Sequence, residues 1–100
     1  MNDKQMQSNY IRVVGTVHTS LEFSHEVFGE NFYEFYLAVP RLSDTKDLLP
    51  VIISERLIND INMDIGNYIV IDGQFRSYNR YEDSSNKLLL RIFVRDIKVP

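Results

Sequence analysis

The sequence predicts an all-β fold, a small closed barrel of five strands with one short helix between the third and the fourth. Apolar and polar residues alternate along most of the chain, as they do in strands, where successive side chains point to opposite faces. One stretch between the third and fourth predicted strands breaks this alternation with helical spacing. The strand that begins after Gly66 carries a second glycine, Gly73, in its interior. A small closed barrel needs a bend or a bulge at such a position.

Composition restricts the class of protein. The 100 residues are 44% hydrophobic and 12% aromatic, which predicts a single domain, 1–100, with one modest core. Residues 1–8 are polar, and we expect them to form a disordered N-terminus. The sequence has no cysteine, which excludes a disulfide framework and a thiol nucleophile. It shows neither a signal peptide nor the ~18 apolar residues of a membrane span, so we expect a cytoplasmic protein.

Two alternating stretches and a hairpin make up the first part of the predicted barrel. Residues 10–18 alternate, residues 21–27 alternate again, and we interpret both as one strand that bends near Thr19–Ser20. A turn signal at 28–31 then predicts a hairpin. Its second strand runs from Phe32 to about Pro40.

The third strand and the helix follow a polar loop at residues 41–47. The strand spans 48–53, and its Pro50 suggests an edge or a gap in a barrel, since proline cannot donate to a ladder. Ser54 is a good N-cap residue. Leu57 and the two isoleucines after it lie at helical spacing, which predicts a helix over 55–63.

The last two strands form a hairpin. The fourth runs from Gly66 to about Tyr78, with Ile69, Ile71, Gly73 and Phe75 on the inner face. A polar loop is predicted at 79–86, followed by a strand at 88–94 whose inward residues are Leu88, Leu90, Ile92 and Val94. Five strands with a helix between the third and the fourth is the order of an OB-fold, a Greek-key barrel.

Charge is distributed unevenly along the chain. The formal net charge is -3, which does not by itself indicate a nucleic-acid-binding protein. From Gln74 to the end, six basic residues stand against three acidic ones, a charge of +3, so the first 73 residues carry -6. The C-terminal quarter is therefore the basic part of an acidic chain.

Basic and aromatic side chains alternate on the outward face of the last hairpin. They are Arg76, Tyr78, Arg80 and Tyr81 on the fourth strand and its loop, and Arg91, Phe93 and Arg95 on the last strand. Aromatic rings stack on bases and arginines neutralise phosphates, which is how single strands are bound without reading their sequence. Alternatively, Tyr78 and Phe93 pack against a partner subunit and the arginines are solvated. The pattern alone leaves both interpretations open.

Features typical of enzymes and metal sites are weak in this sequence. His18 and His25 are too few for a metal site, and a surface or interface role suits them better. Asp60 and Asp64 would share one helix face, but two carboxylates are better explained as solvated. Phosphate-binding, dinucleotide-binding and hydrolase motifs do not occur. We therefore expect no catalytic residue, no metal and no cofactor.

Four stretches carry a resemblance to a known family. They are Asn9–Val17, Phe35–Val39 (FYLAV), Pro50–Ser54 (PVIIS) and Gly66–Ser77 with its G-x-x-I-x-I-x-G-Q-F-R-S pattern. In order and spacing they resemble the bacterial single-stranded DNA-binding proteins, including members similar to primosomal replication protein N. The match extends from Asn9 to about Val99.

The resemblance implies an OB-fold that dimerises through its first strand, often builds tetramers, and wraps single-stranded DNA over its outer sheet. It adds Tyr36 and the hairpin at 24–32 to the candidate contacts. Many members place Trp or Phe on the outer face of the third strand, where this chain has Leu48 and Ser54, so base stacking there is expected to be weaker.

The sequence therefore predicts non-enzymatic binding of single-stranded DNA in replication, repair or recombination, by a homodimer or homotetramer associated with the bacterial nucleoid. Replication or primosome proteins are expected as further partners. The candidate DNA-binding residues are Arg12, Tyr36, Arg76, Tyr78, Arg80, Tyr81, Arg91, Phe93 and Arg95. The alternative is an OB-fold adaptor of a primosome or a mobile-element replication complex, whose outer face binds protein.

Overall fold

The computed structural model describes residues 9–42, 44–82 and 85–100, and at 80–82 and 85–86 it describes the backbone alone. The predicted disorder of residues 1–8 lies outside these ranges. The elements are β1 (Tyr10–Val17), β2 (Glu22–Val27), β3 (Glu30–Pro40), β4 (Lys46–Ser54), α1 (Glu55–Ile58), β5 (Tyr68–Glu82) and β6 (Ser85–Lys98). Within the described ranges, no helix is long and apolar enough to cross a membrane.

The strands close into a barrel. Their order is β1-β5-β6-β4-β3-β2, and an additional pairing of β1 with β3 completes the ring. Two long antiparallel groups, β1–β5–β6 and β2–β3–β4, are joined by two short seams. The first is the parallel pairing of β4 with β6 at Val51–Ile92 and Ile52–Phe93. The second is the antiparallel pairing of β1 with β3 at Thr16–Ala38 and Val17–Leu37.

The predicted OB-fold is confirmed, with one more strand than expected. The first predicted strand is two strands, because residues 18–21 leave the ladder. Single hydrogen bonds hold this link instead: the His18 N–H donates to the Tyr36 carbonyl at 2.8 Å, and the Tyr36 N–H donates to Thr19 Oγ1 at 2.9 Å. The expected bend near Thr19–Ser20 is thus a short irregular segment.

The core lies inside the ring and consists of aliphatic residues and one phenylalanine. Its fully buried side chains are Val17, Phe35, Leu37, Val51, Ile52, Ile53, Ile69, Ile71 and Ile92. Strands β3, β4 and β5 supply the clustered residues from alternate positions, as the predicted alternation requires. Ile52, between Val51 and Ile53, is also fully buried but lies outside this cluster. Phe75, expected in the core, is half-buried and packs against its edge.

A β-bulge in β6 lies opposite Gly73, where the mid-strand glycine predicted a bend or a bulge. Asp72 pairs with Asp96 and Gly73 pairs with Val94, so Arg95 is an extra residue in β6. A Cβ at Gly73 would lie 2.5 Å from the carbonyl oxygen of Phe93, a separation that the packed backbone does not allow. The bulge also resets the alternation of β6, because the next buried residue after Val94 is Ile97.

The prediction for the distal part of the last hairpin was wrong. Residues 79–82 and 85–86, expected in a loop, continue β5 and β6, since Asn79 pairs with Leu88 and Glu82 pairs with Ser85. Leu88 and Leu90, expected to face inward, are 69% and 57% exposed. The alternation is that of a strand, but this part of the hairpin extends beyond the barrel, where no core covers its apolar face.

The helix is shorter than predicted. It begins after Ser54, whose hydroxyl accepts the Arg56 N–H at 3.2 Å as an N-cap, but it ends at Ile58 rather than near Met63. Beyond it, Asn62 Oδ1 accepts the Asp64 N–H at 2.9 Å. Such local side-chain bonds compete with helical ones. Asp60 and Asp64 therefore do not share a helix face.

Pro50 lies beside a gap, as expected. It pairs with Tyr36 on β3, while on the other side of β4 the ladder to β6 is made at Val51 and Ile52. A residue without an N–H is tolerated where no ladder partner stands opposite. The seam between β4 and β6 therefore begins next to the proline.

Candidate nucleic-acid interface

The outer face of the β5–β6 hairpin brings four predicted site residues together. Arg76 pairs in register with Arg91, and their neighbours in the alternation are Tyr78 on β5 and Phe93 on β6. The Arg76 guanidinium carbon lies 4.3 Å from the centroid of the Phe93 ring. The Arg91 guanidinium carbon lies 4.3 Å from the Tyr78 centroid. We call Arg76, Tyr78, Arg91 and Phe93 the arginine–aromatic face.

Each cation of this face lies over a ring of the opposite strand. Like charges directly opposite in a sheet destabilise the pair, and stacking on an aromatic ring partly offsets this cost. Gln74 Oε1 accepts a hydrogen bond from Arg76 Nη2 at 3.3 Å. Among the described side chains, neither Arg76 nor Arg91 forms a salt bridge. The two guanidiniums thus lie against rings, and no carboxylate among the described side chains neutralises them.

Aromatic contacts continue from this face across the β4–β6 seam. The Phe93 and Phe32 ring centroids are 5.6 Å apart, and the Phe32 ring stacks on His25 at 4.9 Å. His25 therefore packs on an aromatic neighbour, and the surface or interface role expected for it stays a prediction. Sequence reasoning missed the contact of Phe32 with the predicted site, because the two phenylalanines are far apart in the chain and meet only when the barrel closes.

Arg12 lies on a different part of the barrel wall. Arg95 lies between that part and the arginine–aromatic face, because it lines one pocket with Arg12 and another with Arg76 and Phe93. Arg12 Nε and Nη2 donate to the Asp72 carboxylate at 2.7 and 3.1 Å. This hydrogen bonding lowers the pKa of Asp72 below its usual value and raises the pKa of Arg12. Arg95 Nη1 lies 3.1 Å from the Tyr10 hydroxyl. These side chains line a pocket of ≈ 380 Å³ beside the bulge, and the charge of Arg12 is already balanced there.

The other three predicted residues are not brought into the arginine–aromatic face by any described contact. Tyr36 lies on β3 beside a pocket that Glu22 and Glu34 also line. Arg80 and Tyr81 pair through their backbones with β6, and their side chains lie outside the described residues. Their roles remain predictions.

The β2–β3 hairpin, which the family resemblance added to the candidate contacts, has an acidic character. Between residues 13 and 40 the chain carries four glutamates and neither lysine nor arginine. Its turn places Phe28 and Gly29 at φ of 49° and 84°, the positive angles of a type I′ turn. Phe23 and Phe28 are exposed. This hairpin offers rings but no cation for a phosphate.

Comparison with known proteins relates most of the chain to the protein PriB. The N-terminal domain of PriB from Thermoanaerobacter tencongensis, solved as a dimer, is 52% identical, with a TM-score of 0.80; the match covers 92% of this chain and 96% of that one. The chain belongs to the PriB family. This confirms the resemblance to primosomal members of the single-stranded DNA-binding proteins.

Two more distant structures share the fold of this PriB family member. The Plasmodium falciparum SSB, solved in complex with single-stranded DNA, is 18% identical over 98% of this chain and 96% of its own, with a TM-score of 0.75. The small single-stranded DNA-binding protein of Streptomyces coelicolor is 19% identical over 91% and 93%, with a TM-score of 0.70. Neither a protein-family model nor a curated protein matches the chain.

Proposed function

We propose that this protein binds single-stranded DNA during replication, without catalysing a reaction, through the arginine–aromatic face. The observation that carries the proposal is the pair of ring-stacked guanidiniums, Arg76 over Phe93 and Arg91 over Tyr78. Such a surface offers cations to phosphates and planar groups to unstacked bases. Membership of the PriB family and the DNA complex of the Plasmodium SSB support the same function.

Long-range attraction does not explain such binding. The chain has a net charge of -3, so at a distance it repels a polyanion. At physiological salt, however, charges more than about 8 Å apart are largely screened. A local cluster of cations therefore decides whether a strand is held, and the basic C-terminal quarter supplies Arg76 and Arg91.

The proposal is tested by titrating labelled oligo-dT at about 50 mM and about 200 mM salt. We compare the parent with the double variant Arg76→Ala/Arg91→Ala. Losing two phosphate contacts reduces the log–log salt slope by about 1.4. Arg41→Ala is the matched control, because Arg41 is an exposed arginine outside this face. It forms an ion pair with Asp47, with Nη1 and Oδ1 3.5 Å apart. Parent-like binding by the double variant would refute the assignment of the face.

The active form is proposed to be a homodimer paired through β1. Along residues 10–16 this strand pairs on one side with β5, and on its other side it meets β3 only at Thr16 and Val17. Tyr10 and Val14 are 51% and 45% exposed. An edge with exposed apolar residues is suited to pairing with a second copy. The dimeric structure of the PriB relative supports this proposal.

The adaptor alternative is less favoured. Arginine and aromatic side chains are enriched at protein–protein interfaces as well, so the composition of the face does not distinguish the two functions. The preference for DNA rests on membership of the PriB family and on the DNA complex of the Plasmodium SSB. Capture of a replication protein by a chain that fails to bind oligo-dT at either salt concentration would favour the adaptor function instead.

A further inference from the structure

A groove of ≈ 220 Å³ crosses the seam between β4 and β6, at the start of α1. One wall carries Arg56 and Glu30; the other carries Arg76, Phe93 and Arg95. Arg76 and Phe93 also belong to the arginine–aromatic face, so the groove is the direct continuation of that face across the seam. A strand lying along the β5–β6 hairpin and leaving it at Phe93 enters this groove.

Arg56 is held at the groove by a carboxylate. Its Nε lies 3.0 Å from Glu30 Oε2, and the Ser54 hydroxyl donates to the same oxygen. The hydrogen bonds from Ser54 and then Arg56 lower the pKa of Glu30 below its usual value, so the carboxylate is ionised at neutral pH. The side chain of Arg56 is nevertheless 69% exposed. The guanidinium therefore has a partner and still remains accessible.

A phosphate can take the place of this carboxylate. Both are oxyanions that a guanidinium binds through its planar N–H groups. An exposed ion pair contributes little to stability, because each charge is well solvated when apart. Three guanidiniums and one carboxylate line the groove, which leaves an excess of positive charge there. Exchanging Glu30 for a phosphate therefore costs little and leaves Arg56 with an equivalent partner.

We infer that this groove is a phosphate-binding subsite of the single-stranded DNA path, in which Arg56 holds a phosphate and Glu30 competes with that phosphate for it. The inference rests on the proposed function and extends it to residues on β3 and α1. It predicts that the protein carries its own competitor for DNA. Removing the carboxylate strengthens binding, and removing Arg56 as well abolishes the gain.

The experiment compares oligo-dT affinity at two salt concentrations for the parent, Glu30→Gln, and Glu30→Gln/Arg56→Gln. Glu30→Gln is expected to bind about 1.4- to five-fold more tightly at low salt, the range that an exposed charge pair contributes. In that background, Arg56→Gln removes one phosphate contact and lowers the salt slope by about 0.7. Between about 50 mM and 200 mM salt this equals a 2.6-fold smaller change in affinity. Arg41→Gln in the same background is the matched control.

The outcomes separate this inference from the proposed function. If Glu30→Gln/Arg56→Gln binds with the affinity and slope of Glu30→Gln, the inference is overturned, while Arg76→Ala/Arg91→Ala still decides whether the face binds DNA. If Glu30→Gln does not fold, the Arg56 Nε–H signal of the parent is followed by NMR during titration with oligo-dT. A shift of that signal, with the Arg41 signal unmoved, supports the inference, and an unmoved Arg56 signal overturns it.

Discussion

Arg76 and Arg91 lie directly opposite each other on β5 and β6, each with its guanidinium over an aromatic ring of the other strand. Two like charges at such a position oppose strand pairing. The long β5–β6 ladder and the two rings hold them in place nevertheless. The arrangement keeps two cations side by side on one face of the sheet.

Each of these arginines is expected to make a separate contribution to the salt dependence of binding. Arg76→Ala and Arg91→Ala should each lower the log–log slope for oligo-dT by about 0.7, because each phosphate contact releases counterions from the single strand. Titrations at several salt concentrations measure the slope. If either of these variants has the same slope as Arg41→Ala, the arginine that it lacks does not contact the phosphates of the DNA.

The aromatic residues should affect affinity without changing the slope. Tyr78→Ala or Phe93→Ala is expected to cost about 1–3 kcal/mol of binding free energy, because stacking releases no counterions. Tyr78→Ala is the clearer variant, since Phe93 also contacts Phe32 and its removal affects the seam. Titration of both variants, with their folding verified by circular dichroism, measures the effect. A slope change as large as that of Arg91→Ala would show instead that the Tyr78 ring acts by positioning the Arg91 guanidinium.

Phe75 provides a test of the barrel edge. Replacing a buried phenylalanine with alanine costs about 3–5 kcal/mol, and half-buried Phe75 should lie near 3 kcal/mol at the lower end of that range. Urea denaturation of Phe75→Ala measures the change in unfolding free energy. Ser77→Ala, an exposed position on the same strand, should stay within about 0.5 kcal/mol of the parent. Equal stabilities for the two variants would contradict the packing of Phe75.

The proposed dimer is tested at Val14. Val14→Asp places a carboxylate on the β1 edge of both copies, and the like charges across a two-fold interface weaken it. Val27→Asp on β2 is the matched control, because Val14 and Val27 are 45% and 44% exposed. Sedimentation equilibrium should show dissociation for Val14→Asp alone. A monomeric parent at micromolar concentration would refute the β1 dimer.

The Arg12–Asp72 pair predicts a dependence of stability on pH. Its hydrogen bonding lowers the pKa of Asp72 in the folded state, so the stabilisation is present above the unfolded value of about 3.9 and is lost as pH falls through the lower, folded pKa. Arg12→Ala should therefore be less stable than the parent at neutral pH, and the two melting temperatures should converge in acid. Arg41→Ala is the control. Parallel curves down to the lowest pH would contradict this assignment.

Much of the barrel was predictable because alternation and glycine placement are local properties. The inner faces of Ile69, Ile71 and Ile92 follow from a period of two residues, and Gly73 predicted its bulge. The prediction of a loop at 79–86 was wrong because a hairpin that protrudes from the barrel is polar, and its composition is therefore the same as that of a loop. The predicted end of the helix was wrong because a short helix is only marginally stable. A local bond such as that from the Asp64 N–H to Asn62 Oδ1 then competes with the helical hydrogen bonds.

The candidate site was predictable only where the chain itself makes neighbours. Arg76, Tyr78, Arg91 and Phe93 meet because a hairpin brings its two strands together. Arg12 is an arginine like Arg76 and Arg91, but its charge is balanced by Asp72. This cross-strand partner becomes apparent only from the β1–β5 register. Arg56 was missed for a related reason, since its nearness to Arg76 depends on the closure of the seam.

The barrel consists of two halves, β1–β5–β6 and β2–β3–β4, which are joined by two short strand pairings. Backbone amides at such junctions exchange with solvent through local opening, at less than the cost of global unfolding. The groove places Arg56 and Glu30 on one half and Arg76 and Phe93 on the other, so a strand bound there would tie the halves together. Hydrogen exchange near Ile52 and Phe93 should then slow when DNA is added, more than in the centre of the β3–β4 ladder. Bound DNA would thus stabilise the β4–β6 seam against local opening.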